Sequence, residues 1–313
     1  SSFTATEKNN GATIDKKIVE NGNLVDANNV AIGDKVDYQS VVTAGKGTVN
    51  YVVHDTFSTG LTFDDKSVAV KYGDKTLEAG EDKDYVLTTT CTDGCTFEID
   101  FTDAFEATLK EGDKIIITYS ATLNEGAVIG STGNPNEILL KYGNAQVTTK
   151  DTVITYTTKL TINKVDGNKA ALKGAGFTLY KGTGDAKVAV GEEVKGTDLT
   201  TFVWTGLEEG TYTLVETTVP DGYNKAKDIE FTIVCAEPTE VKAADDKATW
   251  STESGEIAAV EASVFEGTVV NNTGALLPET GGIGTTIFYV VGGLLMVAAF
   301  VLLVSKKRMA SFA

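Results

Sequence analysis

Residues 36–42 read Val36-Asp37-Tyr38-Gln39-Ser40-Val41-Val42. The stretch alternates with the two-residue period of a β-strand that packs one face and wets the other. Working outward, Val49 to Phe57, Lys114 to Thr122 and Ile138 to Tyr142 alternate or run β-branched and aromatic. Gly, Asn and Asp turns separate these runs at spacings that suit a β-sandwich. A fresh set of short strands opens with Lys159-Leu160-Thr161-Ile162-Asn163-Lys164-Val165-Asp166-Gly167 and continues to Val270. No long helical periodicity appears before the C-terminal segment. The expectation is an all-β chain of two tandem sandwich domains, 1–157 and 158–273, followed by a segment of different character, 274–313.

That last segment holds the strongest local signal. Ile287 to Val304 is uninterrupted apolar sequence, and Lys306, Lys307 and Arg308 follow it. Such a run crosses a bilayer as a helix with some tilt or thinning, and the basic flank stays cytoplasmic. The expectation is a transmembrane helix at 287–304 with the bulk of the chain outside the cell. Just ahead of it stands Leu277-Pro278-Glu279-Thr280-Gly281. No signal peptide opens the sequence, so Ser1 reads as the start of a mature or trimmed fragment.

Composition removes several function classes. The 313 residues carry a formal net charge of −17, which repels a polyanion, so nucleic acid is a poor partner. The chain has one His, His54, and three Cys, with Cys235 distant from Cys91 and Cys95. No structural-zinc spacing exists, and neither a metal nor a cofactor is implied. No Ser/His/Asp or Cys/His set is available to a surface enzyme, and His54 falls on the outward face of its strand. Outside the cell, Cys91-Thr92-Asp93-Gly94-Cys95 reads as a disulfide-closed loop, which leaves Cys235 single and buried.

Strand parity forces unusual residues inward. In the second domain Lys164 shares a face with Leu160 and Ile162, Glu216 with Tyr212 and Leu214, and Asn271 with Phe265 and Val269. In the first, Lys16 lies between Ile14 and Ile18, Asp55 between Tyr51, Val53 and Phe57 on a face that begins at Val49, and Asn136 with Ile138, Leu140 and Tyr142. Burying each ion costs several kcal/mol unless it pairs or neutralises. Snorkelling at strand ends or a buried salt bridge are the plain alternatives.

Leu277 to Gly281, the apolar span and the basic tail together resemble the cell-wall sorting signal of Gram-positive surface proteins. That resemblance implies cleavage between Thr280 and Gly281 by a sortase, with an acyl-enzyme at the Thr280 carbonyl that an amine resolves. Pro278 and Gly281 suit a bent, accessible scissile bond. Upstream, Tyr212-Thr213-Leu214-Val215-Glu216-Thr217-Thr218-Val219-Pro220-Asp221-Gly222-Tyr223 is similar to the E-box of pilins and CnaB-type domains. The segments Ile14-Asp15-Lys16-Lys17, His54 to Phe63 and Asn136 to Asn144 look like the D2, CnaA-like domain of backbone pilins. The family is the SpaA-type shaft pilins of sortase-assembled fibres, with immunoglobulin-like sandwiches.

Carried over residue by residue, the resemblance implies intramolecular Lys–Asn isopeptide bonds. Lys16 joins Asn136 with Asp55 as the acid, and Lys164 joins Asn271 with Glu216 as the acid, each bond linking the first strand of a domain to its last. Low dielectric favours a neutral amine as nucleophile and a neutral acid that polarises the amide carbonyl while ammonia leaves. Asn144 has the parity of Asn136, Lys17 adjoins Lys16, and Asn272 is the runner-up to Asn271. Lys8, in Thr6-Glu7-Lys8-Asn9, stands where pilins carry the outgoing Lys, but without the Tyr-Pro that precedes it in the family.

The function implied is a structural major pilin, not an enzyme, polymerised through Thr280 to a Lys of the next subunit. Its partners would be a class C sortase, a housekeeping sortase, neighbouring subunits of the homopolymer, peptidoglycan and host surface ligands. An LPxTG wall-anchored adhesin or basal pilin, attached but not polymerised, is the alternative.

Overall fold

The alternating stretch quoted first becomes the strand Lys35–Thr43, which buries Val36, Tyr38, Ser40 and Val42 and turns the residues between them away. In the computed structural model residues 11–242 and 246–274 are described. Their regular structure is strand apart from one α-helix, Asp103–Glu106, capped by the Thr102 hydroxyl, and one short 3-10 turn at Gly184–Ala186. The fold is all-β, as two tandem sandwiches.

In the first sandwich one sheet runs in the order Asn23–Val25, Thr13–Glu20, Lys35–Thr43, Lys114–Leu123, Leu61–Tyr72, Lys75–Thr76. The facing sheet runs Ala27–Asn29, Asp151–Tyr156, Asn134–Tyr142, Val52–Phe57, Phe97–Phe101, Tyr85–Thr88. Tyr38, Val42, Ile115, Ile117 and Tyr119 from one sheet meet Val53, Phe97, Ile99, Ile138 and Leu140 from the other in a single core. The face expected to begin at Val49 begins at Tyr51 instead. Asn50 turns the chain with a φ of 58°, and Val49 is left outside the ladder, 50% exposed.

In the second sandwich Thr158–Asp166 lies between Thr201–Leu207 and Val264–Asn271, with Ile257–Glu261 at the edge. The opposing sheet runs Val188–Ala189, Gly176–Lys181, Gly210–Thr218, Ile229–Ala236, Thr249–Thr252. Here the first and last strands are parallel neighbours, paired from Lys159 with Val264 to Asp166 with Asn271. The first sandwich departs from the expected first-to-last arrangement. Asn136 sits on the next-to-last long strand, because Asp151–Tyr156 follows it and pairs against it.

Residues 11–221 and 225–271 belong to one compact unit. Between the two cores a third apolar cluster gathers Ala27, Ile154, Tyr156, Cys235 and Ala248 against Trp250 and Val241. Ile32 N–H donates to Gly206 O at 3.0 Å and Val241 N–H to the Asp26 carboxylate at 3.2 Å. Gly206 has a φ of +73°, and a Cβ there would fall 2.5 Å from Ile32 Cγ1. Only glycine fits that contact. Among the described residues no helix is long and apolar enough to cross a membrane. The expected span at 287–304, the motif Leu277 to Gly281 and Lys8 lie outside the described residues.

Candidate functional site

Strand parity places a lysine, a carboxylate and an asparagine in each core. In the first, Lys16 projects from Thr13–Glu20, and Asp55 and Asn136 project from adjacent antiparallel strands of the facing sheet. All three are fully buried. Lys16 Nζ lies 2.7 Å from Asp55 Oδ2, and Asn136 Nδ2 donates to Asp55 Oδ1 at 2.5 Å and to Thr56 O at 3.1 Å. The Asn136 carbonyl oxygen has no hydrogen-bond partner among the described residues. Burial pushes the Lys16 amine below its ordinary value, against the pull of Asp55. Lys16 Nζ also sits 4.6 Å and 4.9 Å from the ring centres of Tyr119 and Tyr38.

The second cluster uses the two sheets differently. Lys164 and Asn271 share one sheet, on parallel neighbouring strands, with Lys164 opposite Val269 and Asn271 two residues further. Glu216 comes from the opposing sheet. All three are buried. Asn271 Nδ2 donates to both Glu216 oxygens, at 2.9 and 3.0 Å, and Ala226 N–H donates to Oε2 at 2.7 Å. Lys164 Nζ donates to Val165 O at 2.8 Å, and burial lowers its pKa against the attraction of Glu216.

In both clusters the carboxylate meets the amide nitrogen, whereas the expectation had it polarising the carbonyl. An ionised carboxylate only accepts, so it turns to the N–H donors. In the isopeptide chemistry that the resemblance implies, the amide nitrogen would leave as ammonia, with the acid beside it.

The structure separates these residues from their sequence neighbours. Lys17 is half-buried and pairs with Asp26 at 2.5 Å, while Asn144 and Asn272 are exposed. Tyr119 and Ser40 were not singled out from the sequence. Tyr119 OH donates to Asp55 Oδ2 at 2.7 Å, lies 3.1 Å from Ser40 Oγ and accepts from Lys16 Nζ. The signal available was Ser40, a polar residue on the inward face of the stretch quoted first.

Cys91 and Cys95 are joined in a disulfide, and Cys235 is free and buried. The loop they close carries Asp93, which accepts from His54 Nε2 at 2.9 Å on the outer face of the sheet. His54, Asp93, Cys95 and Glu98 bring ligand-type atoms within 4.8 Å of one another. Cys95 Sγ is taken by Cys91, and Lys141 Nζ already bridges Asp93 and Glu98 at 3.2 and 3.3 Å.

Comparison with known proteins matches three segments in order. Residues 32–146 match the Gram-positive pilin backbone subunit 2, Cna-B-like domain; residues 158–247 match the SpaA prealbumin-like fold domain; residues 269–311 match the LPXTG cell wall anchor motif. The description of the first is Cna-B-like, where the sequence resemblance pointed to the CnaA type. The trypsin-resistant surface T6 protein of Streptococcus pyogenes serotype M6 is 24% identical over 98% of this chain and 71% of its own length. Among solved structures, the T6 backbone pilin of serotype M6 Streptococcus pyogenes aligns with a TM-score of 0.60 at 20% identity, over 84% of this chain and 70% of that one. The group B streptococcus pilus 2b backbone protein aligns at 0.58 and 23% identity, over 86% of this chain and 100% of that one. The full-length major pilin RrgB of Streptococcus pneumoniae aligns at 0.58 and 18% identity, over 84% and 74%. At these identities the structural likeness carries the fold. With a pilin-backbone segment, a prealbumin-like segment and a wall-anchor motif in that order, the chain has the domain organisation of the Gram-positive backbone pilins, cell-wall-anchored surface proteins of the pilus.

Proposed function

We propose that this chain is the polymerised shaft subunit and that each sandwich closes itself with an isopeptide bond, Lys16 to Asn136 and Lys164 to Asn271. The observation that carries the reading is the first cluster. A buried amine, a carboxylate and an amide stand in a row, 2.7 Å and 2.5 Å apart. Moving one proton along the Lys16–Asp55 pair creates a neutral amine and a neutral acid together. The amine's lone pair then attacks Asn136 Cγ, a proton passes through the carboxyl group to Nδ2, and the C–N bond breaks with loss of ammonia. Lys and Asn side chains become one secondary amide, and no cofactor or external reactant is consumed. In the second sandwich Glu216 serves the same purpose from the opposite sheet, already bonded to the leaving nitrogen of Asn271.

Sortase processing, subunit polymerisation and wall attachment go with the family and the anchor motif. At the finer level, a class C sortase would transfer the Thr280 carbonyl to Lys8 of the next subunit, and a housekeeping sortase would end the fibre on peptidoglycan. The chain is the substrate of that transfer.

The test is the intact mass of the full chain, expressed in a host without sortase and with its disulfide reduced. The expected mass is short by two ammonia molecules, with one restored in Asp55→Ala and one in Glu216→Ala. A mass equal to the sequence mass overturns the isopeptide reading. For polymerisation, wall extracts of cells carrying the native protein should give a ladder on denaturing gels that collapses with Lys8→Ala. An anchored single species in both cells would instead indicate an adhesin or basal pilin.

A further inference from the structure

The first cluster contains a hydroxyl that packing does not explain. Tyr119 stands on Lys114–Leu123, two residues along from Ile117, the register partner of Ser40, which is itself the register partner of Lys16. Its ring lies edge-on to Phe57, Phe63 and Phe97, an aromatic environment that a Phe would fill equally well. A buried hydroxyl costs free energy unless it is bonded. Here its partners are the reacting amine, the carboxyl group and Ser40: it accepts from Lys16 Nζ, donates to Asp55 Oδ2 at 2.7 Å and lies 3.1 Å from Ser40 Oγ. One proton and two lone pairs fit those three partners. Burial also holds the phenol well above its ordinary pKa.

We propose that Tyr119 is the proton relay for the bond between Lys16 and Asn136, with Ser40 as its positioning residue. The inference rests on the isopeptide reading above. Once the first Lys16 proton has moved to Asp55, the carboxyl group is neutral and its Oδ1 faces the amide nitrogen. Attack of Nζ on Cγ leaves a second N–H proton to be removed. The carboxyl group gives its proton to Nδ2, the Cγ–Nδ2 bond breaks and ammonia leaves. The second Nζ proton then passes to the Tyr119 oxygen as the phenol's own proton passes to the vacated Asp55 Oδ2. The phenol ends as it began, and the sum is ammonium, carboxylate and primary amide giving secondary amide, carboxylic acid and ammonia. In the second cluster Lys164 and Glu216 instead bond Val165 O, the Ala226 N–H and Asn271 Nδ2, so the relay is proposed for the first sandwich.

The experiment follows the intact mass of the full chain over time in a host without sortase. Wild type should be short by two ammonia molecules at isolation. Tyr119→Phe, which keeps the ring, should be short by one, with the first bond appearing roughly a hundredfold more slowly, the low end of a general acid–base contribution. A fluorotyrosine at 119 keeps a hydroxyl and should return the first bond to completion, which a packing role would not predict. Ser40→Ala should slow the first bond by a smaller factor; the deficit from Lys164 and Asn271 reports in every variant that the second sandwich has folded, and near-UV circular dichroism reports the first. If Tyr119→Phe and Ser40→Ala both form the first bond as completely as wild type at isolation, the relay is overturned and the isopeptide reading stands. If wild type itself lacks the first deficit, the isopeptide reading of that sandwich falls, and the relay with it.

Discussion

Replacing Asn136 and Asp55 separately divides the first cluster into its covalent and its electrostatic part. Asn136→Ala removes the acceptor but leaves Lys16 and Asp55 paired at 2.7 Å in a dry core. The lost closure spans about 120 residues (136 − 16), and treated like a disulfide of that span it contributes about 5 kcal/mol. Asp55→Ala loses the same closure and also strands Lys16, which adds about 3–5 kcal/mol for an uncompensated buried charge. At about 2–4 °C per kcal/mol for a domain of this size, Asn136→Ala should lower the first sandwich's melting temperature by about 10–20 °C. Asp55→Ala should lower it by a further 6–20 °C or so on the same scale. Calorimetry of each variant, with its intact mass measured on the same sample, reads both terms. If Asn136→Ala loses the ammonia deficit yet melts with wild type, the cross-link is not a stabilising closure. If Asp55→Ala is no less stable than Asn136→Ala, Lys16 is not held as a buried partner of Asp55.

Three further outcomes are expected. Cys91→Ser with Cys95→Ser opens a loop of sequence separation 4 and should cost about 2 kcal/mol, read as a lower melting temperature; an unchanged transition would mean that the loop contributes nothing. Gly206→Ala must displace Ile32 and adopt a φ of +73°, so it should destabilise by about 1–3 kcal/mol and speed hydrogen exchange at the Ile32 amide, whereas normal protection there would refute the contact. In Asn136→Ala the unbonded Lys16 titrates at a lowered pKa, so between that value and the ordinary 10.5 the unfolded chain binds more protons and stability rises with pH. An acylated Lys16 has no such proton to lose, so an equal rise in wild type would argue against the bond.

Much of this was legible because the side-chain period of a strand is two. Once Val36 to Val42 is read as a strand, every neighbour's parity follows, and a lysine, an acid and an asparagine fall inward without any knowledge of which strands pair. Parity cannot say where a strand begins. Val49 has the parity of Tyr51, yet Asn50 turns the chain and leaves Val49 outside. It also cannot separate Asn136 from Asn144, which share a face by count; the turn after Tyr142 removes Asn144 to solvent. Tyr119 read as an ordinary core aromatic because its hydroxyl acquires meaning only from register, which joins Lys16 to Ser40 and Ser40 to Ile117 across three strands. Register is a long-range property set by turns and packing, and alternation within one strand carries none of it.

On the proposed reading the two clusters would solve one chemical problem in two mechanical settings. In the second sandwich Lys164 and Asn271 lie on parallel first and last strands, so on the proposed linkage a pull along the chain meets the bond almost at once. In the first sandwich the bond would leave the sheet at Asn136, while the chain continues through Asn134–Tyr142, a turn and Asp151–Tyr156 before it reaches the second sandwich. Residues 137–156 would then carry load through noncovalent contacts, among them the antiparallel pairing of Asn134–Tyr142 with Val52–Phe57 and with Asp151–Tyr156 and the parallel pairing of the latter with Ala27–Asn29. Those 20 residues could extend to roughly 65–70 Å before the covalent path tightened. The junction cluster of Ile154, Tyr156, Cys235 and Ala248 sits on that same segment, so its apolar contacts are what hold the unclamped strand in place. The stiffness of such a shaft would therefore depend on two isopeptide bonds and, between them, on a small apolar junction that no covalent bond protects.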